Sequence, residues 1–240
     1  RCGRTWLRLM MSRAIAQYFG LQDVNLLEPG SLASLNPNVP RIRITHDDNP
    51  HWKKPDELCN SKMMYKHAKV IFLARDPRDV IVSLYFHKKK RDREYSGSLS
   101  NYLCEQVGGF ETLLEFYNIW AQNRCTPKAF LLVRYEDIHS DPHRELRRVL
   151  DFLGLQDISD EIIGGAVEFA SFENMREIEM KDGFSSERLR AANPEDIESY
   201  KTRKGVVKGF IDYLSKEEIQ FLNRKMLENL SYYYGYTQDL

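Results

Sequence analysis

A chain of 240 residues, 42% hydrophobic and 29% charged, has the composition of an ordinary globular domain, which excludes disorder as its main state. Its 35 basic and 35 acidic residues cancel, so no global field draws it to nucleic acid or to an anionic membrane. Any affinity for an anion must come from a local cluster of cations.

The chain opens Arg1-Cys2-Gly3-Arg4-Thr5-Trp6, in what reads as a functional loop, so a strand is expected upstream of residue 1. Trp6, Leu9, Met10, Ala14 and Ile15 then follow helical period over 5–19. Residues 21–38, with Pro29, Gly30 and Pro37, read as irregular connection. Over 39–45, Ile42 and Ile44 alternate with Arg41, Arg43 and Thr45, a half-buried strand running into the polar turn His46-Asp47-Asp48-Asn49-Pro50. Residues 69–75 form a continuous apolar strand of the kind buried on both faces of a parallel sheet. Asp76 as N-cap, Pro77 at the first helical position and Asp79 in the first turn start a helix carrying Val80, Val82, Ser83 and Phe86. The run Lys88-Lys89-Lys90-Arg91 at its end reads as a solvated face that complements the helix C-terminus.

Residues 99–121 read as one helix and 129–134 as a second buried strand ending at Tyr135-Glu136-Asp137. Residues 142–153 read as an amphipathic helix closed by Gly154. From 155 the pattern is helical and polar. Residues 181–209 lack periodicity and read as a flap or ligand loop, 214–230 as a capped final helix, and Tyr232 to Tyr236 as packing. Alternating strands and helices predict an α/β fold class: a single domain over 1–240 with a central parallel sheet flanked by helices. The cysteines at 2, 59, 104 and 125 have no CxxC spacing, so neither a disulfide framework nor a zinc site is expected, and reduced thiols suit a cytoplasmic setting. No apolar run approaches the roughly 18 residues of a transmembrane segment.

Three local features point to a phosphate-bearing ligand. At the opening of the first helix, free backbone N–H groups, the helix dipole and the guanidinium groups of Arg1 and Arg4 can converge on an anion. Arg75 at the carboxyl end of a strand and Ser83 on the following helix offer a cation and a hydroxyl near one rim of the sheet. Arg203-Lys204-Gly205 places two cations beside a flexible glycine.

Together these resemble the sulfotransferases that use 3′-phosphoadenosine 5′-phosphosulfate (PAPS), particularly the cytosolic type. Arg1 to Trp6 is similar to that family's phosphosulfate loop, (Lys/Arg)-Ser-Gly-Thr-Thr-Trp. The resemblance assigns Cys2, Gly3, Arg4, Thr5 and Trp6 to the donor, with Arg1 also stabilising the leaving oxygen. Residues 70–87 match the 3′-phosphate motif, which implies that Arg75 and Ser83 hold that phosphate. The family's adenine-side segments resemble Tyr135-Glu136-Asp137 and Ser171 to Met175, with Tyr135 beside the base and Phe172 stacking on it. Arg203, Lys204 and Gly205 match the terminal phosphate clamp. On the acceptor side, Ile44-Thr45-His46 is similar to the segment that carries the family's general base. An imidazole can take the acceptor hydroxyl's proton near neutral pH as the hydroxyl attacks sulfur. The implied products are a sulfated acceptor and 3′,5′-ADP, the acceptor being a small-molecule or glycan hydroxyl, with no metal required.

The chain departs from the family pattern at Arg1 for a lysine, at Cys2 and Arg4 for hydroxyl residues, and at Ile44 for a lysine. Val206 to Phe210 departs from the animal Gly-Asp-Trp continuation, and the family's C-terminal dimer motif is absent. A metal held by His46, Asp47, Asp48 and His51 would need four ligands from one short turn, which rarely closes a site. Glu136 and Asp137 could replace His46 as base, but they lie where the cofactor side is expected. The alternatives are a P-loop kinase, for which only Gly3-Arg4-Thr5 speaks, and a non-catalytic adenine-nucleotide-binding protein.

Overall fold

The two apolar runs expected as buried strands pair with each other, but of their residues only Phe72, Ala74 and Val133 are buried, because a two-stranded sheet leaves much of both strands uncovered. In the computed structural model, which describes residues 2–181, 189–190 and 192–238, the chain starts with α1 (Arg4–Tyr18), α2 (Pro29–Leu35), β1 (Lys69–Ala74) and α3 (Pro77–Phe86). It continues with α4 (Leu99–Leu103), α5 (Phe110–Gln122), β2 (Ala129–Arg134) and α6 (Tyr135–Ser140). Next come α7 (Pro142–Leu153), α8 (Asp160–Phe169), α9 (Phe172–Met180) and α10 (Lys216–Asn229). The fold is α/β, and β1 and β2 form a two-stranded parallel sheet. The described residues group into two compact units, one built from 46–132 and the residues from 206 on, the other from 2–45 and 133–205.

In the first unit the core gathers around the buried Phe72 of β1. Its ring lies 5.5 Å from Trp120, 5.7 Å from Tyr117 and 5.9 Å from Tyr234, so β1, α5 and the C-terminal tyrosines share one aromatic cluster. Asp76 caps α3 by accepting from the Arg78 amide at 2.9 Å, with Pro77 in the first turn, as expected. Ser215 and Glu218 form the capping box that starts α10.

Two expectations are corrected here. Residues 99–121 are two helices, because Gly108 takes φ +67° and its amide donates to the Lys53 carbonyl at 2.8 Å. A Cβ at Gly108 would run into the backbone of His51. The basic run after α3 is a π-helical turn, His87–Asp92, and Lys88 within it is buried. Its ammonium donates to the His51 carbonyl at 2.8 Å and lies 4.8 Å from the Trp52 ring. Burial lowers the Lys88 pKa, so this lysine is no part of a solvated face.

In the second unit, α1 packs against α7 and α8, with Leu9, Met10, Ala14 and Ile15 fully buried. Residues 21–38 contain α2, which the sequence pattern missed because Pro29 starts a helix there rather than interrupting one. Residues 41–45 keep alternating exposure but carry no strand assignment. The alternation reports one half-buried face and does not by itself supply a ladder partner. Between 190 and 208 the described backbone is irregular apart from the 3₁₀ turn Ile197–Ser199, a second 3₁₀ turn starts at Gly209, and residues 182–188 and 191 of the expected flap lie outside the described residues. The buried Glu179 of α9 accepts from the Lys201 amide at 2.7 Å and the Thr202 amide at 2.9 Å, which ties 201–202 to that helix.

Candidate active site

The second unit carries most of the predicted donor residues. Gly3 precedes α1 at φ +82°, a left-handed conformation that favours glycine. α1 then begins at Arg4 with no side-chain cap, so its first-turn amides lack intrahelical acceptors and the positive end of its dipole lies at Cys2 to Trp6. Cys2, Arg4, Thr5 and Trp6 are half-buried, and Arg1 lies outside the described residues.

Gly3 sits against Tyr135, whose Cδ2 would be 2.6 Å from a Cβ on the glycine. Trp6 meets the same ring edge-on at 5.8 Å. Tyr135 in turn lies 6.2 Å from the His139 ring, and His139 Nε2 is 3.1 Å from the Gly205 carbonyl. A Cβ on Gly205, at φ +65°, would lie 2.5 Å from the Phe172 ring, so the backbone approaches that ring as only glycine allows. Segments that are far apart in sequence, the 2–6 loop, Tyr135, Phe172 and Gly205, therefore form one continuous patch. His139, which the sequence pattern did not single out, bridges it. Phe172 is 38% exposed, so it is an open ring surface rather than a core aromatic. Arg203 pairs with Glu198 at 3.1 Å, and Lys204 is half-buried.

The first unit holds Arg75, Ser83 and His46. The backbone of Arg75 is clamped by one phenol: the Tyr117 hydroxyl accepts from its amide at 3.1 Å and donates to its carbonyl at 2.9 Å. The Arg75 guanidinium donates from Nη2 to Asp79 Oδ2 at 3.1 Å and to the Val206 carbonyl at 2.8 Å. Asp79 and Ser83, four residues apart, lie on one face of α3.

His46 is exposed at the start of a braced turn. Its carbonyl accepts from the Asn49 amide at 2.9 Å, and Asp48 and Asn49 both take positive φ. Such strain persists only where neighbours hold it. The Lys53 ammonium and the Cys59 amide both donate to the Asp48 carboxylate. Burial pushes the Asp48 carboxyl up, but these two hydrogen bonds and the Lys53 and Lys62 charges outweigh it, so its pKa is lowered. Asp47 is held by Lys62 at 2.7 Å, the Tyr65 hydroxyl at 2.7 Å and the Trp120 indole N–H at 3.0 Å. Both acids of this turn are therefore committed to structure. His51 lies 5.6 Å from His46, ring to ring, and Lys88 and Gly108 fix its backbone. Among the described residues no cluster of His, Cys, Asp and Glu is placed to hold a metal.

A family model for the sulfotransferase domain matches residues 5–233. The chain is a member of the sulfotransferase family. It is 28% identical over 201 residues to Cytosolic sulfotransferase 12 of Arabidopsis thaliana, covering 79% of this chain and 56% of that relative. It is 30% identical over 144 residues to Sulfotransferase 1A1 of Mus musculus, covering 58% of this chain and 46% of that relative. The chain thus spans about half the length of the curated relatives it matches. Retinol dehydratase in complex with androsterone and the inactive cofactor PAP superposes with a TM-score of 0.57 at 22% identity, over 91% of this chain and 61% of that one. Mouse sulfotransferase SULT7A1 complexed with PAP gives 0.53 at 20% identity, over 67% and 58%. These likenesses establish a shared fold. Among the described residues of this sulfotransferase-family chain, no helix is long and apolar enough to cross a membrane.

Proposed function

We propose that residues 1–240 act as one sulfotransferase domain that moves a sulfuryl group from PAPS to an acceptor hydroxyl. The observation that carries this reading is the continuous patch of Gly3, Trp6, Tyr135, Gly205 and Phe172 in the second unit. Five residues that the resemblance assigns to one nucleotide lie in a run of contacts that His139 bridges. The exposed Phe172 ring supplies a stacking surface for a purine, and the first-turn amides of α1 supply donors for a phosphate.

In this reading Arg75 and Ser83 bind the 3′-phosphate, and Arg203, Lys204 and the Gly205 backbone add charge and donors for it. His46 accepts the acceptor's proton as the new O–S bond forms. The S–O bond to the 5′-phosphate breaks in the same in-line displacement, which leaves 3′,5′-ADP. Arg1, Arg4 and the helix dipole neutralise the leaving phosphate, and cationic side chains supply the charge without a metal. The acceptor is a small molecule or glycan bearing a hydroxyl: retinol dehydratase has been solved with retinol and with androsterone, which supports the small-molecule class. The cytosolic relatives support a cytoplasmic setting.

Labelled PAPS incubated with a panel of phenols, alcohols and sugars tests the proposal. Label passing to at least one hydroxyl compound, and not passing with His46→Ala, is expected. Binding of 3′,5′-ADP without transfer to any acceptor would replace this reading with that of a non-catalytic nucleotide-binding protein.

A further inference from the structure

Asp79 is buried at 3% exposure in the first turn of α3. The cap of that helix is already made by Asp76, so Asp79 is not needed to end it. Both of its oxygens serve other groups: Oδ2 accepts from Arg75 Nη2 at 3.1 Å and from the Lys208 amide at 3.0 Å, and Oδ1 accepts from the Phe210 amide at 2.9 Å. Lys208 reaches this position at φ +58°, a conformation that a non-glycine residue adopts at a cost. Since the Val206 carbonyl accepts from the same Arg75 nitrogen at 2.8 Å, two acceptors on one nitrogen fix the rotation of the guanidinium plane. Guanidinium recognises phosphate through parallel N–H bonds, so the plane's orientation decides whether one bond or two can form.

We propose that Asp79 is a positioning residue for the 3′-phosphate. By setting the Arg75 plane and holding residues 206–210, it makes the protein prefer a nucleoside 3′,5′-bisphosphate to a 5′-monophosphate. The inference rests on the PAPS reading above, because only that reading gives Arg75 a 3′-phosphate to bind. Asp79→Asn keeps the side chain's size, but its amide nitrogen must face either Phe210 or the Arg75 and Lys208 donors, so at least one of those bonds is lost.

Calorimetric Kd values for 3′,5′-ADP and 5′-AMP, taken on wild type, Asp79→Asn, Arg75→Ala and the double variant, test it. Wild type should prefer the bisphosphate. Asp79→Asn should lose about tenfold of that preference while its 5′-AMP affinity stays within about twofold, as loss of one charge-assisted contact implies. In the Arg75→Ala background the same substitution should change the preference by less than about twofold. If both nucleotides lose affinity equally, Asp79 is merely structural. An unchanged preference, or the full loss recurring without Arg75, overturns the proposal. Should Asp79→Asn fail to fold, Asp79→Glu retains the charge but displaces the carboxylate, and an unchanged preference there is equally decisive. A wild type without preference instead overturns the donor reading itself.

Discussion

Gly3 and Tyr135 pack so closely that a methyl group on the glycine would lie 2.6 Å from the ring of the tyrosine. Tyr135 is buried, so it cannot retreat cheaply. Gly3→Ala therefore adds steric conflict to a left-handed backbone that alone costs roughly 1–2 kcal/mol. We expect a lower melting temperature and a weaker shift on adding 3′,5′-ADP. A melting curve and nucleotide response equal to wild type would detach the loop from Tyr135.

His46→Ala should separate chemistry from donor binding. His46 is exposed and is assigned to the acceptor hydroxyl rather than to any group of the donor, so the substitution should leave the 3′,5′-ADP Kd within about twofold. Loss of a general base lowers kcat by roughly 10²–10⁴-fold. Steady-state turnover with PAPS reads this directly, and a kcat equal to wild type removes His46 from the base role.

The turn behind His46 is expected to be acid-sensitive. Asp48 has a folded pKa below its usual 3.8, so its stabilisation is complete above that value and is lost as pH falls through the folded pKa. In Asp48→Asn this part of the acid-limb slope should disappear from a denaturant series run below about pH 4. An identical slope in both proteins would mean that the Lys53 and Cys59 contacts add no pH-dependent stability.

Gly108 braces the same turn from the other side. With φ +67° and the His51 backbone in the way, Gly108→Ala should cost roughly 2 kcal/mol or more and should also lower kcat, because His51 contacts His46. Circular dichroism melts and turnover measured on one preparation check both effects. Reduced stability with kcat untouched would confine Gly108 to packing.

What the sequence revealed was mostly local. β1, the Asp76-Pro77 cap of α3, β2, and α7 with its Gly154 stop are each set by residues within a few positions of one another, so periodicity and capping chemistry exposed them. The order of the motifs was legible for the same reason. The features missed depend on partners far away in the chain. The break at Gly108 answers to His51 and Lys53, the burial of Lys88 answers to the His51 carbonyl, and the work of Asp79 is visible only once 206–210 lies beside it. α2 had a local signal, a proline at a helix start, that resembles the signal of a loop. The expected strand over 39–45 shows the converse: its alternation is real, yet hydrogen-bond partners lie outside what a single run of residues can specify.

Nucleotide selectivity tests the central claim most directly. Titrated calorimetrically into the intact 240-residue chain, 3′,5′-ADP should bind at least about tenfold more tightly than ATP, since the clusters at Arg75 and Arg203-Lys204-Gly205 are assigned to a 3′-phosphate that ATP lacks. Tighter binding of ATP, or no binding of the bisphosphate, would contradict the account.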